Sequence, residues 1–288
     1  MHPSYVTPEA IREFISSAWK EDVGEGDHTT LAVISKDQQG QATLLVKDDG
    51  VLAGVEMARA IFSFADPAIV LQALKQDGDI VTRGEVAFKV TGPMRSILTA
   101  ERLVLNCMQR MSGVATYTAR LRKIIEGTKA RITDTRKTTP NFRLPEKWAV
   151  AIGGGTNHRF ALYDQILIKD NHVDMAGGVK PALETARQYL SKLGKSLRVE
   201  IETRNLEEVK AVIAAGGADV IMLDNMSTAQ MKEAVELVGG RWKTEASGGI
   251  NEHNLRTVAE TGVDFISIGA LTHSVRSLDL SLKVDAPQ

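Results

Sequence analysis

The fold is decided by four short runs of residues: RVEIET (198–203), ADVIMLD (218–224), WKTEAS (242–247) and VDFISIG (263–269). Each run has a largely apolar body and a polar or small residue at its end. These endings are Glu202, Asp224, Ser247 and Gly269. They are 22, 23 and 22 positions apart, which is about the length of one strand, loop and helix in an α/β barrel. The spacing therefore predicts parallel strands that alternate with helices.

Two earlier runs, RITDT (131–135) and QILIKD (165–170), have the same strand-like character. The segments after the later strands begin with helix-capping patterns: Asn205 precedes Glu208, and Ser227 precedes Gln230, each by three positions. The chain beyond residue 130 is thus predicted to be an α/β barrel.

The residues before the barrel have a different pattern. Short β-rich runs lie between turn signals over 40–91, after an opening helix that starts at Thr7-Pro8. Residues 1–98 are therefore predicted to form a small α+β domain. A long helix is expected from Ala100, capped by Thr99, through Met111 and onward past Gly113.

Composition limits the classes of function. The net charge of −1 and the pI near 6.6 argue against a nucleic-acid-binding face. The single cysteine, Cys107, cannot form an internal disulfide and is expected to be a buried, inert thiol. No apolar run approaches the ~20 residues of a membrane span, and the N-terminus lacks a signal-peptide pattern. We therefore expect a cytoplasmic protein without nucleic-acid or membrane partners.

Basic residues are concentrated in the segment 131–172, although the chain as a whole is nearly neutral. They are Arg131, Arg136, Lys137, Arg143, Lys147, Arg159 and Lys169, with His158 and His172. A glycine triplet, 153–155, lies among them. Cations at strand ends beside flexible backbone favour a site for a highly anionic small molecule.

Parallel strands point their C-terminal ends to one rim, where α/β barrels place their active sites. Early strands bring cations to that rim, middle strands bring the carboxylates of Glu202 and Asp224, and late strands bring SGGI (247–250) and SIGA (267–270). The small residues are typical of phosphate loops, and two carboxylates suit Mg²⁺ or a sugar diol. A helix cap or a surface salt bridge is the alternative for each carboxylate. Glu200 and Glu202 lie on the same side of their strand. For Glu200, contact with the substrate and pairing with a lysine are both open.

Nine segments of the chain resemble, in order, segments of the quinolinate phosphoribosyltransferase family. They are EDVGEGDHTT (21–30), AERLVLNCMQRMSGVAT (100–116), DTRKTTP (134–140), GGGTNHR (153–159), LIKDNH (167–172), VEIE (199–202), MLDN (222–225), SGGI (247–250) and SIGALTHS (267–274). DTRKTTP and the pairing of NHR with KDNH are the specific ones. The chain departs from the pattern at Asn141-Phe142, where Gly-Leu is usual, at Trp148, where Tyr is usual, and by an extra residue in AAGGAD.

The resemblance implies that quinolinate and phosphoribosyl pyrophosphate (PRPP) condense to nicotinate mononucleotide, pyrophosphate and CO₂, with Mg²⁺ as cofactor. It implies that quinolinate is bound by Arg136, His158 and Arg159, with Arg102 from the neighbouring subunit of a homodimer. Catalytic contacts are expected from Lys137, Lys169, Glu202 and Asp224, of which the two carboxylates hold the ribose and Mg²⁺. Contacts with PRPP and its phosphates are expected from Thr135, Lys137, Lys169, Ser247, Gly248, Gly249, Ser267 and Gly269.

We therefore predict an open α/β barrel with an N-terminal α+β sandwich-like domain. The N-terminal domain is expected over 1–113, joined by the tail 271–288, and the catalytic barrel over 114–270. Three other functions stay open: a relative similar to the ModD proteins linked to molybdenum transport, a Schiff-base aldolase that uses Lys169, and a non-catalytic anion-binding protein.

Overall fold

A computed structural model describes residues 3–285. The chain divides into two compact units. The N-terminal unit comprises the described residues up to Ala119, together with Thr138–Gly154 and the C-terminal residues from Leu271. The barrel unit comprises Arg120–Lys137 and Gly155–Ala270. None of the helices that the structure describes is long and apolar enough to cross a membrane.

The N-terminal unit combines helices with an antiparallel sheet. Its elements are α1 (Pro8–Asp22), α2 (His28–Val33), β1 (Gln39–Val46), β2 (Gly50–Val51), α3 (Val55–Ala65), β3 (Val70–Ala73), β4 (Ile80–Val81), β5 (Val86–Pro93), α4 (Met94–Ile124, whose last residues extend into the barrel unit), α5 (Arg143–Ile152), α11 (Ala270–His273) and β12 (Leu280–Val284). The main sheet has the order β12-β1-β5-β3, so the C-terminal strand pairs with the first strand of the chain.

The sequence patterns of this unit predicted strands better than helices. The prediction of β-rich runs over 40–91 missed α3, whose buried residues Val55, Met57, Ala58, Ile61 and Phe62 have helical spacing. Gly54, with φ of 96°, forms the N-cap of this helix, a conformation that favours glycine. The sequence signal was obscured because β-rich runs flank the helix closely on both sides.

The long helix α4 begins at Met94, earlier than the predicted cap at Thr99, and runs without a break through Gly113. A Cβ at Gly113 would lie 3.1 Å from Ser277 Cα and closer still to the carbonyl oxygen of Arg276. Glycine is therefore required because the C-terminal segment crosses the helix there. Cys107 is fully buried in this helix, and burial raises the pKa of its thiol to about 12, as expected for an inert thiol.

Arg110 of α4 and Glu146 of α5 form a buried ion pair that holds this unit together. The guanidinium donates to Glu146 Oε1 (2.8 Å) and to the carbonyl oxygen of Val275 (2.8 Å) in the C-terminal segment. Glu146 Oε2 also accepts the backbone N–H of Thr139 (2.9 Å). The second half of the DTRKTTP motif is thereby fixed to the N-terminal unit.

The barrel unit alternates strands and helices, as the strand spacing predicts. Its elements are β6 (Arg131–Thr133), β7 (Ile166–Ile168), α6 (Asp170–Ala176), α7 (Val179–Leu193), β8 (Val199–Thr203), α8 (Leu206–Ala215), β9 (Val220–Asp224), α9 (Thr228–Val238), β10 (Lys243–Ser247), α10 (Leu255–Ala259) and β11 (Phe265–Ser267). The strands are parallel in the order β6-β11-β10-β9-β8-β7. The two end strands, β6 and β7, are not paired with each other among the described residues, which gives an open α/β barrel.

Two helix caps of the barrel unit are those that the sequence indicates, whereas Asn251, which the sequence pattern suggests as a third cap, lies before α10, whose N-cap is Asn254. Asn205 accepts the backbone N–H of Glu208 and begins α8. Ser227 and Gln230 form a reciprocal capping box at the start of α9. Ser247 and Asp224 are register partners at the C-terminal ends of β10 and β9, so that these strand ends lie side by side.

Candidate active site

The loop after β6 is tied to the NHR segment by a buried carboxylate. Asp134 Oδ1 accepts the backbone N–H of His158 (2.9 Å), and Asp134 Oδ2 accepts the side-chain amide of Asn157 (2.6 Å). An isolated β-bridge between Thr133 and Thr156 continues this connection. The two segments richest in sequence signal, DTRKTTP and GGGTNHR, are thereby connected at the end of one strand.

Two guanidinium groups, those of Arg136 and Arg159, interact at this position. The Nε of Arg136 is buried and has no hydrogen-bond partner among the described residues. Arg159 has a lowered pKa, first because burial removes its guanidinium from water and then because of the positive charge of Arg136. Glu200 and Asp164 oppose the shift. A cation pair of this kind is destabilising by itself and is relieved by a bound anion.

His158 is turned towards the interior of the barrel unit. Its Nε2 lies 2.9 Å from Glu200 Oε2 and 3.6 Å from Glu245 Oε1, and its Nδ1 accepts the backbone N–H of Arg159 (2.8 Å). Gln165 also donates to Glu200 Oε2 (2.6 Å). The suggested pairing of Glu200 with a lysine is therefore replaced by pairing with a histidine and a glutamine.

Lys169 and the carboxylates of Glu202 and Asp224 form the neighbouring part of the rim. Burial and the negative charge of Asp224 raise the pKa of Glu202, and the positive charge of Lys169 acts in the opposite direction. Lys169 is exposed at the N-cap of α6, where its backbone N–H donates to Nδ1 of His172 (2.9 Å). Asp224 Oδ2 accepts the side-chain amide of Asn225 (2.6 Å). A pair of mutually repelling carboxylates beside a lysine suits a cation or a diol.

The glycine loop after β10 lies against the end of β9. Gly248 and Gly249 have φ angles of 92° and 62°, in the region that favours glycine. A Cβ at Gly248 would overlap the side-chain amide of Asn225, and the backbone N–H of Asn225 donates to Ser247 O (2.9 Å). The loop therefore approaches β9 more closely than any other residue type would permit.

The other residues expected at the site are placed differently. Thr135 accepts the backbone N–H of Lys137 (3.0 Å), and the Lys137 side chain is exposed. Gly269 is half-buried just after β11, whereas Ser267 is buried within that strand and donates to Ala246 O (3.4 Å). Arg102 is exposed on α4 in the N-terminal unit. Its contact with quinolinate in a neighbouring subunit stays a prediction.

Four residues that the sequence patterns did not indicate lie around His158 in the structure: Glu245, Gln165, Asn157 and Asp134. One sequence signal was available for Glu245. Glu245 lies in the middle of a strand rather than at its end. A carboxylate in the middle of a barrel strand is buried, and a buried carboxylate must be paired or protonated.

Two family models match most of the chain. The N-terminal domain of quinolinate phosphoribosyl transferase matches residues 27–112, and its C-terminal domain matches residues 114–283. These matched ranges meet close to the predicted domain boundary at residue 113, whereas the compact units divide after Ala119.

Full-length relatives and solved structures agree with the family models. The chain is 44% identical to a chloroplastic nicotinate-nucleotide pyrophosphorylase [carboxylating] of Arabidopsis thaliana, with 99% of this chain and 84% of the relative covered. It is 41% identical to a probable enzyme of the same name from Bacillus subtilis, with 95% and 93% covered. The crystal structure of NadC from Streptococcus pyogenes is similar, with a TM-score of 0.91, 39% identity and 98% of both chains covered. The structure of the nicotinate-nucleotide pyrophosphorylase from Francisella tularensis is also similar, with a TM-score of 0.89 and 38% identity. The match covers 97% of this chain and 98% of that one.

Proposed function

The chain belongs to the quinolinate phosphoribosyltransferase family, and we propose that it transfers the phosphoribosyl group of PRPP to quinolinate with loss of CO₂. The products are nicotinate mononucleotide, pyrophosphate and CO₂, in the de novo biosynthesis of NAD. The full-length relatives at 41% and 44% identity support this activity.

One observation in the structure carries the assignment of the quinolinate pocket. Arg136 and Arg159 repel each other, and the buried Nε of Arg136 has no acceptor within residues 3–285. Quinolinate carries two adjacent carboxylates on a planar ring, which planar guanidinium groups bind better than ammonium groups do. The pair of Arg136 and Arg159 is named here the dicarboxylate clamp. His158 supports the clamp through the backbone N–H of Arg159.

PRPP is assigned to the rim beside the clamp. Glu202 and Asp224 would hold its ribose hydroxyls and Mg²⁺. Burial and then the negative charge of Asp224 raise the pKa of Glu202, and both effects support a cation at this position. When bound there, Mg²⁺ supplies positive charge to the leaving pyrophosphate. Lys137 and Lys169 contact the phosphates of PRPP, and the glycine loop Ser247–Gly249 with Gly269 receives the 5-phosphate. Ser267 is a weaker candidate because its hydroxyl is buried within β11.

The reaction needs placement and charge rather than a protein nucleophile. The clamp orients the ring nitrogen towards C1 of the ribose, where the bond to pyrophosphate breaks as the bond to nitrogen forms. Alkylation makes the ring nitrogen cationic. The bond to the adjacent carboxylate then breaks, CO₂ leaves, and the electron pair that remains on the ring carbon takes a proton from solvent. No covalent enzyme intermediate is formed.

A homodimer with a shared active site is part of this proposal. Arg102 is exposed on its helix and thus available to a neighbouring subunit, where it would add a third guanidinium to the dicarboxylate clamp. The cytoplasmic location stays a prediction from sequence.

Turnover of quinolinate and PRPP with Mg²⁺ tests the function directly. We expect nicotinate mononucleotide with quinolinate, and little product when nicotinate, which lacks one carboxylate, replaces it. Borohydride added during turnover should leave Lys169 unmodified. Covalent trapping of a carbonyl substrate on Lys169 would instead support the aldolase, and binding of quinolinate without any product would support the anion-binding protein.

A further inference from the structure

Three ionisable groups are packed together in the interior of the barrel unit. His158, Glu200 and Glu245 bring ligand atoms within 4.8 Å of one another. Their side chains are 9%, 2% and 4% exposed. We call these three residues the His–Glu cluster. Glu200 Oε1 and Glu245 Oε1 are buried, and neither has a hydrogen-bond partner among the described residues.

A proton fits this cluster better than a metal ion does. Two ligands of a tetrahedral zinc ion, with bonds of about 2 Å, lie about 3.3 Å apart. His158 Nε2 and Glu200 Oε2 are 2.9 Å apart, which is a charge-assisted hydrogen-bond distance. The side-chain amide of Gln165 donates a hydrogen bond of 2.6 Å to the same oxygen of Glu200. The short contact between the imidazole and the carboxylate, and the amide hydrogen bond to the same oxygen, therefore match an ion pair rather than two ligands of one metal ion.

The surroundings of Glu245 favour its protonated form. Burial and the negative charge of Glu200 raise the pKa of Glu245 to about 8. His158, the Ser267 hydroxyl from β11 and the guanidinium of Arg198 act in the opposite direction. The register partners of Glu245 on the flanking strands, Met222 and Phe265, add no charge. Two buried carboxylates beside one imidazole thus retain a proton at neutral pH.

We propose that Glu200 and Glu245 are positioning residues, whose packing against the imidazole of His158 holds Arg159 in the dicarboxylate clamp. Glu200 lies against Nε2 of the imidazole, and this contact orients the ring so that Nδ1 accepts the backbone N–H of Arg159. Glu245 completes the His–Glu cluster as a neutral acid. When Glu245 ionises, two adjacent buried anions repel, and the support of Arg159 weakens.

The inference rests on the proposed function and is tested by the pH dependence of quinolinate binding. The Michaelis constants for quinolinate and PRPP are measured between about pH 7 and pH 9 for the wild type and for Glu245→Gln, in which glutamine imitates the neutral acid. In the wild type, the constant for quinolinate should rise about tenfold per pH unit above the pKa of Glu245, while the constant for PRPP changes little. The rise should be absent in Glu245→Gln. Glu236→Gln, the same change at an exposed site on α9, should follow the wild type.

A thermal measurement tests the His–Glu cluster without any activity. A raised pKa in the folded state means stability that is full at low pH and is lost as the pH rises through about 8. The melting temperature of the wild type should therefore fall more between about pH 5 and pH 8 than that of Glu245→Gln. If the wild type has no turnover, the proposed function fails. The comparison of melting temperatures still tests whether Glu245 is a neutral acid in the His–Glu cluster.

Three outcomes would overturn the inference. One is a Glu245→Gln variant whose pH dependence matches that of the wild type in both measurements. Another is one zinc ion per chain in the purified wild type and none in Glu245→Gln. The third is a Glu200→Gln variant that is folded and has an unchanged Michaelis constant for quinolinate.

Discussion

At the scale of single residues, the site depends on half-buried charges of like sign that are close together before any substrate arrives. Arg136 and Arg159 repel each other, as do Glu202 and Asp224, and each pair shifts a pKa of one of its members. These repulsive pairs persist because the free energy of folding of the rest of the protein offsets their cost. A bound dicarboxylate and a bound cation would relieve the two repulsions separately, so that each pair is expected to serve one substrate.

Replacing Arg159 with lysine tests the planar clamp. Lysine keeps the positive charge but loses the guanidinium fork. Loss of one charge-assisted hydrogen bond predicts a roughly ten- to hundredfold rise in the Michaelis constant for quinolinate. Steady-state kinetics with each substrate varied in turn would measure it, and the constant for PRPP should change little. Arg131→Lys, on the exposed N-terminal end of β6, is the matched control. An equal rise for both substrates would contradict a clamp specific for quinolinate.

At the scale of helices and strands, the C-terminal segment depends on a glycine in the middle of α4. Alanine normally stabilises a helix interior relative to glycine by about 1 kcal/mol. Here the added methyl group would meet the backbone of Arg276 and Ser277.

We therefore expect Gly113→Ala to reduce the free energy of unfolding by about 1–3 kcal/mol, as overpacking does elsewhere. Urea denaturation would measure the change. Asn106→Ala, at an exposed position of the same helix, should be neutral or slightly stabilising. A Gly113→Ala variant as stable as the wild type would show that the helix and the C-terminal segment can separate without cost.

The strand ends were predictable from sequence because each strand changes from an apolar body to a polar or small ending. The regular spacing of Glu202, Asp224, Ser247 and Gly269 was enough to indicate a parallel α/β unit. The helix α3 was not predicted, because the β-rich runs that flank it closely on both sides obscured the helical spacing of its apolar residues. Glu245 was missed because its partners, Glu200 and His158, are distant in sequence and meet only in the folded barrel unit.

At the scale of the whole molecule, the proposal requires two chains. Arg102 and the dicarboxylate clamp belong to different compact units, and the resemblance places Arg102 at the site of the neighbouring subunit. Sequence analysis could name this residue, but neither the sequence nor one chain determines the assembly.

Mixed dimers test the sharing of sites between subunits. Arg102→Ala and Arg136→Ala should each be nearly inactive, since each removes a guanidinium that holds quinolinate. Dimers with one chain of each variant contain one intact site and should recover up to about half of the wild-type activity per dimer. Activity would be measured on heterodimers purified with two different affinity tags. Proven heterodimers as inactive as the parents would contradict a shared site.

The central claim is that this chain couples phosphoribosyl transfer to decarboxylation of quinolinate. Quinolinate labelled with ¹⁴C in the carboxylate next to the ring nitrogen tests it most directly, by release of labelled CO₂ with and without PRPP. We predict release only when PRPP and Mg²⁺ are present, in equal amounts with nicotinate mononucleotide. Release of CO₂ without PRPP, or nucleotide that retains the label, would contradict the mechanism.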